Sequence, residues 1–166
     1  GKTVVDVGTG AGFPGMPLRI LKDDFDLTLL DSLGKRVTWL QEVCDELQLK
    51  RVACVHARAE EFAMQHREQF DIATSRAVAQ LSILSELCLP LIKVGGQFIA
   101  MKSVDTEDEI DAAKSAIKTL GGHIVKVEDY TIPTSDVVHR LVIVEKVSPT
   151  PRAYPRAFAK IKKAPL

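Results

Sequence analysis

VVDVGTGAGFPG, residues 4–15, joins a short apolar run to a turn rich in glycine. Three valines around Asp6 predict a short buried strand, and four glycines follow it within eight positions. Because glycine has no Cβ, a turn rich in glycine lets a ligand approach the backbone closely. The stretch therefore predicts a ligand-binding turn directly after the first strand.

Six further apolar and β-branched runs predict strands along the rest of the chain. They are residues 27–31, 52–56, 70–74, 97–102, 123–130 and 139–147, after a first strand over 3–7. Helical patterns alternate with most of them, which predicts a parallel sheet with helices on both faces. Only about eight residues separate the last two strands, too few for a helical crossover. We therefore predict an α/β, Rossmann-like fold of the class I S-adenosylmethionine (SAM)-dependent methyltransferases, with seven strands and an antiparallel last strand.

Three of the intervening helices have clear signals. The first is predicted to begin after Ser32 as its N-cap, the second to extend over 77–89, and the third to follow Asp105 as its N-cap. The first and third each have one apolar side, because apolar residues recur every three or four positions. These sides consist of Leu33, Val37, Leu40, Cys44 and Leu47 in the first helix and of Ile110, Ala113, Ile117 and Leu120 in the third.

Composition limits the class of protein. The 166 residues, 46% hydrophobic and 27% charged, suit one globular domain with a sizeable core. No apolar run approaches the roughly 20 residues that span a membrane, and no signal peptide is visible. The three cysteines form no CxxC pair and the histidines show no metal-ligand spacing. We therefore expect a cytoplasmic monomer with reduced cysteines and no metal site.

The charge is unevenly distributed although the net charge is zero. Residues 1–149 hold 17 Lys/Arg and 22 Asp/Glu, whereas residues 150–166 hold five Lys/Arg and no acid. We divide the chain accordingly into a methyltransferase domain over 1–149 and a basic C-terminal tail over 150–166. Such a tail suggests an anionic partner, often nucleic acid, or else a solvated disordered end. Since the chain starts directly at the first strand, we expect that an upstream segment is missing.

A dinucleotide-binding turn is one interpretation of the glycines. That class requires the pattern GxGxxG. The register that starts at Gly8 fails because Phe13 stands where the third glycine is needed. A register shifted to begin at Gly10 does fit, but it places Pro14 inside the motif.

A SAM-binding turn is the other interpretation. The pattern acid-x-Gly-x-Gly-x-Gly, typical of SAM enzymes, fits Asp6, Gly8, Gly10 and Gly12 without a shift. SAM carries an ammonium group, which the Asp6 carboxylate can attract directly or through water. Asp31, at the end of the second strand, can accept hydrogen bonds from both ribose hydroxyls, and both cofactor classes predict such an acid.

Five segments together resemble one family. They are DVGTGAGFPGMPL (6–18), LLDSLGKRVTWL (29–40), RAEEF (58–62), FDIATSRAVA (70–79) and HRLVIVEK (139–146). Over nearly the whole chain this combination resembles the bacterial small-subunit ribosomal RNA guanine-N7 methyltransferases, also called glucose-inhibited division protein B. The resemblance implies SAM as the methyl donor and N7 of a guanine in small-subunit rRNA as the acceptor.

The resemblance also implies roles for individual residues. Gly8 and Phe13 match the contacts of the family's glycine loop with SAM. Ala59 and Glu60 match the pair that lines the adenine, and Arg76 matches the arginine after the fourth strand. The family has in addition a helical N-terminal segment, and its basic tail is richer in glycine and proline than residues 154–166.

Methylation at guanine N7 needs no proton transfer, because N7 carries a lone pair and no hydrogen. The enzyme then contributes proximity, orientation and a suitable electrostatic field. We expect no residue to act as a general acid or base, and we expect Arg76 and Lys102 to position the reactants.

Several cations are predicted to surround the cofactor. The carboxyl ends of parallel strands meet at one edge of a sheet, and an antiparallel last strand begins there. The cations at these places are predicted to contact RNA phosphates, with scattered solvated charges as the alternative; they are Lys35, Arg36, Arg58, Lys102, His139 and Arg140. Trp39, off the apolar side of its helix, either stacks on a base or covers another element.

Two other functions remain open from the sequence. One is a methyltransferase for a small molecule or a protein, which would need a closed apolar acceptor pocket instead of a cationic edge. The other is a dinucleotide-binding or regulatory module without catalysis.

Overall fold

A computed structural model describes residues 1–76 and 79–166. Seven strands form the sheet of this part of the chain. They are β1 (Lys2–Val7), β2 (Phe25–Asp31), β3 (Val52–His56), β4 (Phe70–Ser75), β5 (Ile92–Ser103), β6 (Gly122–Thr131) and β7 (Val138–Lys146). Their order in the sheet is β3-β2-β1-β4-β5-β7-β6.

The strand directions confirm the predicted fold class. Strands β1 to β5 pair in parallel, and β7 pairs antiparallel with both β5 and β6. The chain order reverses between β1 and β4, and ligands of open α/β sheets bind in the crevice at such a reversal. The glycine-rich turn follows β1 and therefore lies at that crevice.

Six α-helices connect or follow the strands. They are α1 (Gly15–Leu21), α2 (Gly34–Glu46), α3 (Ala59–Gln65), α4 (Leu81–Cys88), α5 (Glu107–Thr119) and α6 (Phe158–Lys163). All three predicted helices are present, but the one predicted over 77–89 begins at Leu81, and residues 77 and 78 lie outside the described residues. In the described part of the chain, no helix is both long enough and apolar enough to cross a membrane.

Both predicted helix caps are wrong. Leu33 rather than Ser32 occupies the N-cap of α2, and its N–H donates to Oδ1 of Asp31 at 2.9 Å. Thr106 rather than Asp105 is the N-cap of α5. The Asp31 carboxylate thus accepts a hydrogen bond from the backbone at the start of α2, as the side chain of an N-cap residue would.

The apolar side of α2 is buried only at its centre. Val37, Leu40 and Cys44 are buried, whereas Leu33 and Leu47 at the two ends are about half exposed. The apolar side predicted for α5 is buried along its whole length.

Strand β5 is longer than predicted. It begins at Ile92, five residues before the predicted start at residue 97, and runs through Gly95 and Gly96. The register of its pairing with β4 shifts between Phe70 and Ile72, so the first residues of β5 are accommodated at an irregularity of the sheet.

The core has two parts, one on each face of the sheet. Val5 and Val7 of β1 belong to the larger part, which α3, α4 and α5 cover, and Val4 belongs to the smaller part under α1 and α2. This alternation follows from the two-residue period of a strand. An open apolar groove of about 880 Å³ remains on the second face, where Ile72 and Ile99 contribute to its lining.

The C-terminal segment packs against the body of the protein. The guanidinium of Arg156 binds both carboxylate oxygens of the fully buried Glu86, at 2.9 and 2.6 Å. Arg67 donates to the carbonyl oxygen of Tyr154 at 2.7 Å, and Ile161 of α6 is fully buried. These contacts place α6 beside α4.

The ion pair between Arg156 and Glu86 gives a stability prediction. Replacing Arg156 with Ala leaves a buried carboxylate without its charged partner, and we expect the free energy of unfolding to fall by about 3 kcal/mol in urea denaturation. Arg152→Ala, an exposed change in the same segment, is the control and should alter stability by less than about 0.5 kcal/mol. Equal stability of both variants would show that the segment is not part of the folded unit.

Candidate active site

The glycine-rich turn presents bare backbone to an open crevice. Gly8 and Gly10 have φ values of +67° and +59°, which side-chain-bearing residues rarely adopt. A Cβ built on either glycine meets no atom of the described residues within 4 Å. The N–H groups of Gly8 and Thr9 both donate to the carbonyl of Leu30, at 2.9 and 3.1 Å, and so fix the turn to β2.

Asp6 braces the turn from below. Its fully buried carboxylate accepts hydrogen bonds through Oδ2 from the Thr9 hydroxyl at 2.7 Å and the Gly15 N–H at 2.9 Å. Its Oδ1 is buried and has no hydrogen-bond partner among the described residues. Burial raises the pKa of Asp6 to about 6. An unpaired carboxylate oxygen beneath an open turn suits a cationic group bound above it.

Asp31 braces the turn from the side. Its Oδ2 accepts from the Gly10 N–H at 2.9 Å, its Oδ1 accepts from Leu33, and the Arg36 guanidinium lies 3.7 Å from Oδ2. A carboxylate has about four acceptor sites, so this group can accept further hydrogen bonds. Asp31 is therefore both a structural bridge and an acceptor at the end of β2.

A pocket of about 230 Å³ lies at the carboxyl ends of β1, β2 and β3. It brings together four of the predicted cofactor-binding residues, Gly8, Asp31, Ala59 and Glu60. Glu60 is buried and accepts a hydrogen bond from Nε of Arg58 at 2.6 Å. The pocket thus combines bare backbone, a carboxylate and apolar walls, and these suit the ribose and adenine of SAM.

The other five predicted cofactor residues, Asp6, Gly10, Gly12, Phe13 and Arg76, do not line this pocket. Gly12 is buried, and a Cβ there would lie 2.8 Å from Cε of Met16, so this glycine permits close packing of α1. Phe13 is about half exposed, and the Arg76 guanidinium lies 5.6 Å from its ring centroid. Phe13 and Arg76 therefore form an exposed pair beside the glycine turn.

Lys102 is held inside the protein. Its Nζ lies 2.6 Å from Oε1 of Glu109 and donates to the carbonyl of Ala79 at 2.9 Å. The same Glu109 oxygen accepts from the N–H of Leu81 at 2.7 Å. Lys102 and Glu109 thus hold the backbone at Ala79 and at the start of α4.

His139 and Arg140 lie at the predicted edge, because His139 pairs with Ser103 at the end of β5. The Arg140 guanidinium is buried and binds Asp129 at 2.6 and 2.9 Å and Glu107 at 2.7 Å. These two carboxylates raise the pKa of Arg140 above its ordinary value. Asp129 and Glu107 therefore neutralise the positive charge of Arg140.

Lys35 and Arg36 are exposed at the start of α2. Together with Trp39, which is about half exposed, they line a shallow groove of about 360 Å³ that reaches Gly10 and Ala11. Two cations and an aromatic ring therefore lie beside the glycine turn in one groove.

Two pocket residues come from parts of the chain that the sequence did not connect with the cofactor. They are Leu87 of α4 and Phe158 of α6, which add apolar surface to the lining. No motif or spacing connects position 158 with the turns after β1, β2 and β3. Only the folding of the C-terminal segment over α3 and α4 brings Phe158 to the pocket.

Fold and site together define a class I SAM-dependent methyltransferase. The chain belongs to the rRNA small subunit methyltransferase G family, whose sequence profile matches residues 1–138. Ribosomal RNA small subunit methyltransferase G of Clostridium botulinum is 52% identical over 167 residues, which cover 99% of this chain and 70% of the relative. The protein of the same name from Clostridium tetani is 50% identical over 165 residues, covering 98% and 69%.

Solved structures show the same fold at low sequence identity. M. jannaschii TYW2, in complex with AdoMet, superimposes with a TM-score of 0.70 at 16% identity and covers 88% of this chain and 69% of its own. An rRNA methylase from Streptococcus thermophilus has a TM-score of 0.63 at 17% identity, covering 89% and 87%. The family assignment therefore favours the methyltransferase interpretation over the dinucleotide-binding module.

The raised pKa of Asp6 predicts a pH dependence of SAM binding. Below about pH 6 the carboxylate is protonated and loses its attraction for a cation, so we expect the Kd for SAM to be about tenfold higher at pH 5 than at pH 7.5. The Asp6→Asn variant should bind SAM weakly, with the same Kd at pH 5 and at pH 7.5. The measurement is isothermal titration calorimetry, with the exposed Asp26→Asn as a control that keeps the wild-type profile.

A wild-type Kd that is equal within twofold at pH 5 and pH 7.5 would contradict this role of Asp6. So would a pH profile that persists unchanged in Asp6→Asn.

Proposed function

We propose that this protein transfers the methyl group of SAM to N7 of a guanine in small-subunit rRNA. The observation that carries the proposal is the 52% identity with a named ribosomal RNA small subunit methyltransferase over 99% of the chain. The braced glycine turn and the pocket beside it support SAM as the donor. When bound, SAM supplies an electrophilic methyl group on a sulfonium.

The cofactor would be held by residues from three strand ends. Gly8 offers bare backbone, Asp31 offers acceptors for the ribose hydroxyls, and Ala59 and Glu60 border the adenine. Asp6 contributes negative charge from beneath the turn. Because all these residues come from one chain, we propose that the protein acts as a monomer in the cytoplasm, where rRNA is present.

The acceptor guanine would approach over Phe13 and Arg76. An exposed ring and a planar guanidinium beside it form a surface on which an unpaired base can stack. Lys102 acts on this surface indirectly, by holding the carbonyl of Ala79 three residues after Arg76. Since N7 carries no proton, stacking and orientation are sufficient, and no side chain has to act as a base.

The RNA backbone would lie along the exposed cations beside the cofactor. Lys35 and Arg36 border the glycine turn and are exposed, although the Arg36 guanidinium lies 3.7 Å from the Asp31 carboxylate. Arg140 and Lys102, in contrast, are buried against carboxylates of the chain. Trp39, in the same groove, adds an aromatic face. We therefore assign the main phosphate contacts to the start of α2. Arg58, which is bound to Glu60, and His139, near the start of β7, are secondary candidates.

The proposed reaction is tested by mapping 7-methylguanosine in rRNA. Cells that lack the full-length protein should lose one 7-methylguanosine from small-subunit rRNA, and expression of the wild-type protein should restore it. Asp31→Ala, which removes the acceptor at the end of β2, should not restore it. Undiminished 7-methylguanosine in the deletion strain would reject the rRNA assignment.

The assigned phosphate contacts are tested by the salt dependence of RNA binding. For Lys35→Ala/Arg36→Ala we expect the slope of log K against log salt to fall by roughly 1.5, since each lost phosphate contact changes it by about 0.7–0.9. Trp39→Ala should weaken binding without changing the slope. Lys114→Ala/Lys118→Ala on α5 removes the same charge elsewhere and serves as the control.

An unchanged slope in Lys35→Ala/Arg36→Ala would contradict these phosphate contacts. An equal decrease in the α5 variant would mean that total charge, and not the edge beside the cofactor, determines RNA binding.

A further inference from the structure

One wall of the cofactor pocket comes from the C-terminal segment. Phe158, the first residue of α6, lines the pocket together with Gly8, Asp31 and Ala59. It is half-buried, and it lies outside residues 1–138, which match the family profile. A residue from the end of the chain thus faces residues from the turns after β1, β2 and β3.

The position of Phe158 is fixed by contacts that do not involve its ring. Before it in the chain, Arg156 is bound to the buried Glu86 through its guanidinium and through its backbone N–H. After it, Ile161 is fully buried. Since anchors lie two residues before it and three residues after it, the ring is held at the pocket and does not hang free in solvent.

The ring is also held by the pocket's own residues. The guanidinium of Arg58 lies 4.5 Å from the centroid of Phe158, and Nε of Arg58 donates to Glu60 at 2.6 Å. A cation over an aromatic ring is an attractive contact. Glu60, Arg58 and Phe158 therefore form a connected row along one side of the pocket.

The pocket lining combines two kinds of surface. Asp31 provides carboxylate oxygens, and Ala59, Leu87 and Phe158 provide apolar surface. A nucleoside has both kinds of group, a sugar that donates hydrogen bonds and a flat base with a π-face. Stacking of a base on an aromatic side chain depends on that face and not on a particular hydrogen-bond pattern.

We propose that Phe158 is the aromatic wall against which the adenine of SAM packs, so that the C-terminal segment is part of the cofactor site. The inference rests on SAM as the donor in the proposed function and is independent of the acceptor. Under this proposal the basic C-terminal tail contributes one wall of the adenine pocket, and without the tail the pocket would be open at that wall.

The test is the affinity for SAM and for 5′-methylthioadenosine, a ligand that keeps the adenosine and lacks the amino acid. Calorimetric titration should show that Phe158→Ala raises the Kd for both ligands by about tenfold. Phe158→Leu keeps apolar volume without the π-face and should raise both values by about threefold. Phe158→Tyr keeps the ring and should stay within twofold of wild type.

Folding is monitored separately by thermal melting. Because Ile161 and Arg156 remain in place, Phe158→Leu and Phe158→Tyr should melt within about two degrees of wild type. Lys163→Ala, on the same helix but outside the pocket, is the matched control and should bind both ligands as wild type does.

Two results would overturn the inference while leaving the proposed function intact. One is unchanged binding of SAM by Phe158→Ala. The other is a loss restricted to SAM, because 5′-methylthioadenosine carries the same adenine. Failure of the wild-type protein to bind SAM would reject the proposed function and this inference together.

Discussion

The buried carboxylate of Asp6 holds the ligand-binding turn to the sheet. It ties the Thr9 hydroxyl and the first N–H of α1 to β1, while Asp31 ties the Gly10 N–H to the end of β2. With two carboxylates bracing one glycine turn, the backbone stays open towards the crevice between the strand ends. Burial of Asp6 is unfavourable for its charge, as its raised pKa shows. A cation bound above the turn would relieve that cost.

The site is assembled from distant parts of the chain around this turn. The turns after β1, β2 and β3 bring backbone, carboxylate and apolar residues together, and α4 and α6 close the pocket from outside. The cations around the crevice divide into two groups. Lys102 and Arg140 are bound to carboxylates and stabilise the surrounding segments, whereas Lys35 and Arg36 at the start of α2 remain exposed. Position at a sheet edge alone therefore does not identify a charge that is available to a substrate.

Local patterns predicted most of the fold and the inner part of the site. Strand periodicity, helical spacing and the short last connection were sufficient for all seven strands and for the antiparallel β7. The caps of α2 and α5 were predicted wrongly, because the N-cap positions are Leu33 and Thr106, and neither side chain makes a capping hydrogen bond. At α2 the Asp31 carboxylate, two residues before Leu33, accepts from the Leu33 N–H instead. Phe158 could not be predicted either, since its place in the pocket depends on how residues after β7 dock against Glu86.

Two calorimetric titrations of the wild-type protein, one with SAM and one with NAD, test most directly whether the glycine turn is the binding site of the methyl donor. A site for the methyl donor at this turn predicts saturable binding of SAM with one site per chain, and no measurable heat with NAD. Saturable binding of NAD with no heat from SAM would contradict it, because the turn would then accommodate a pyrophosphate instead of a sulfonium.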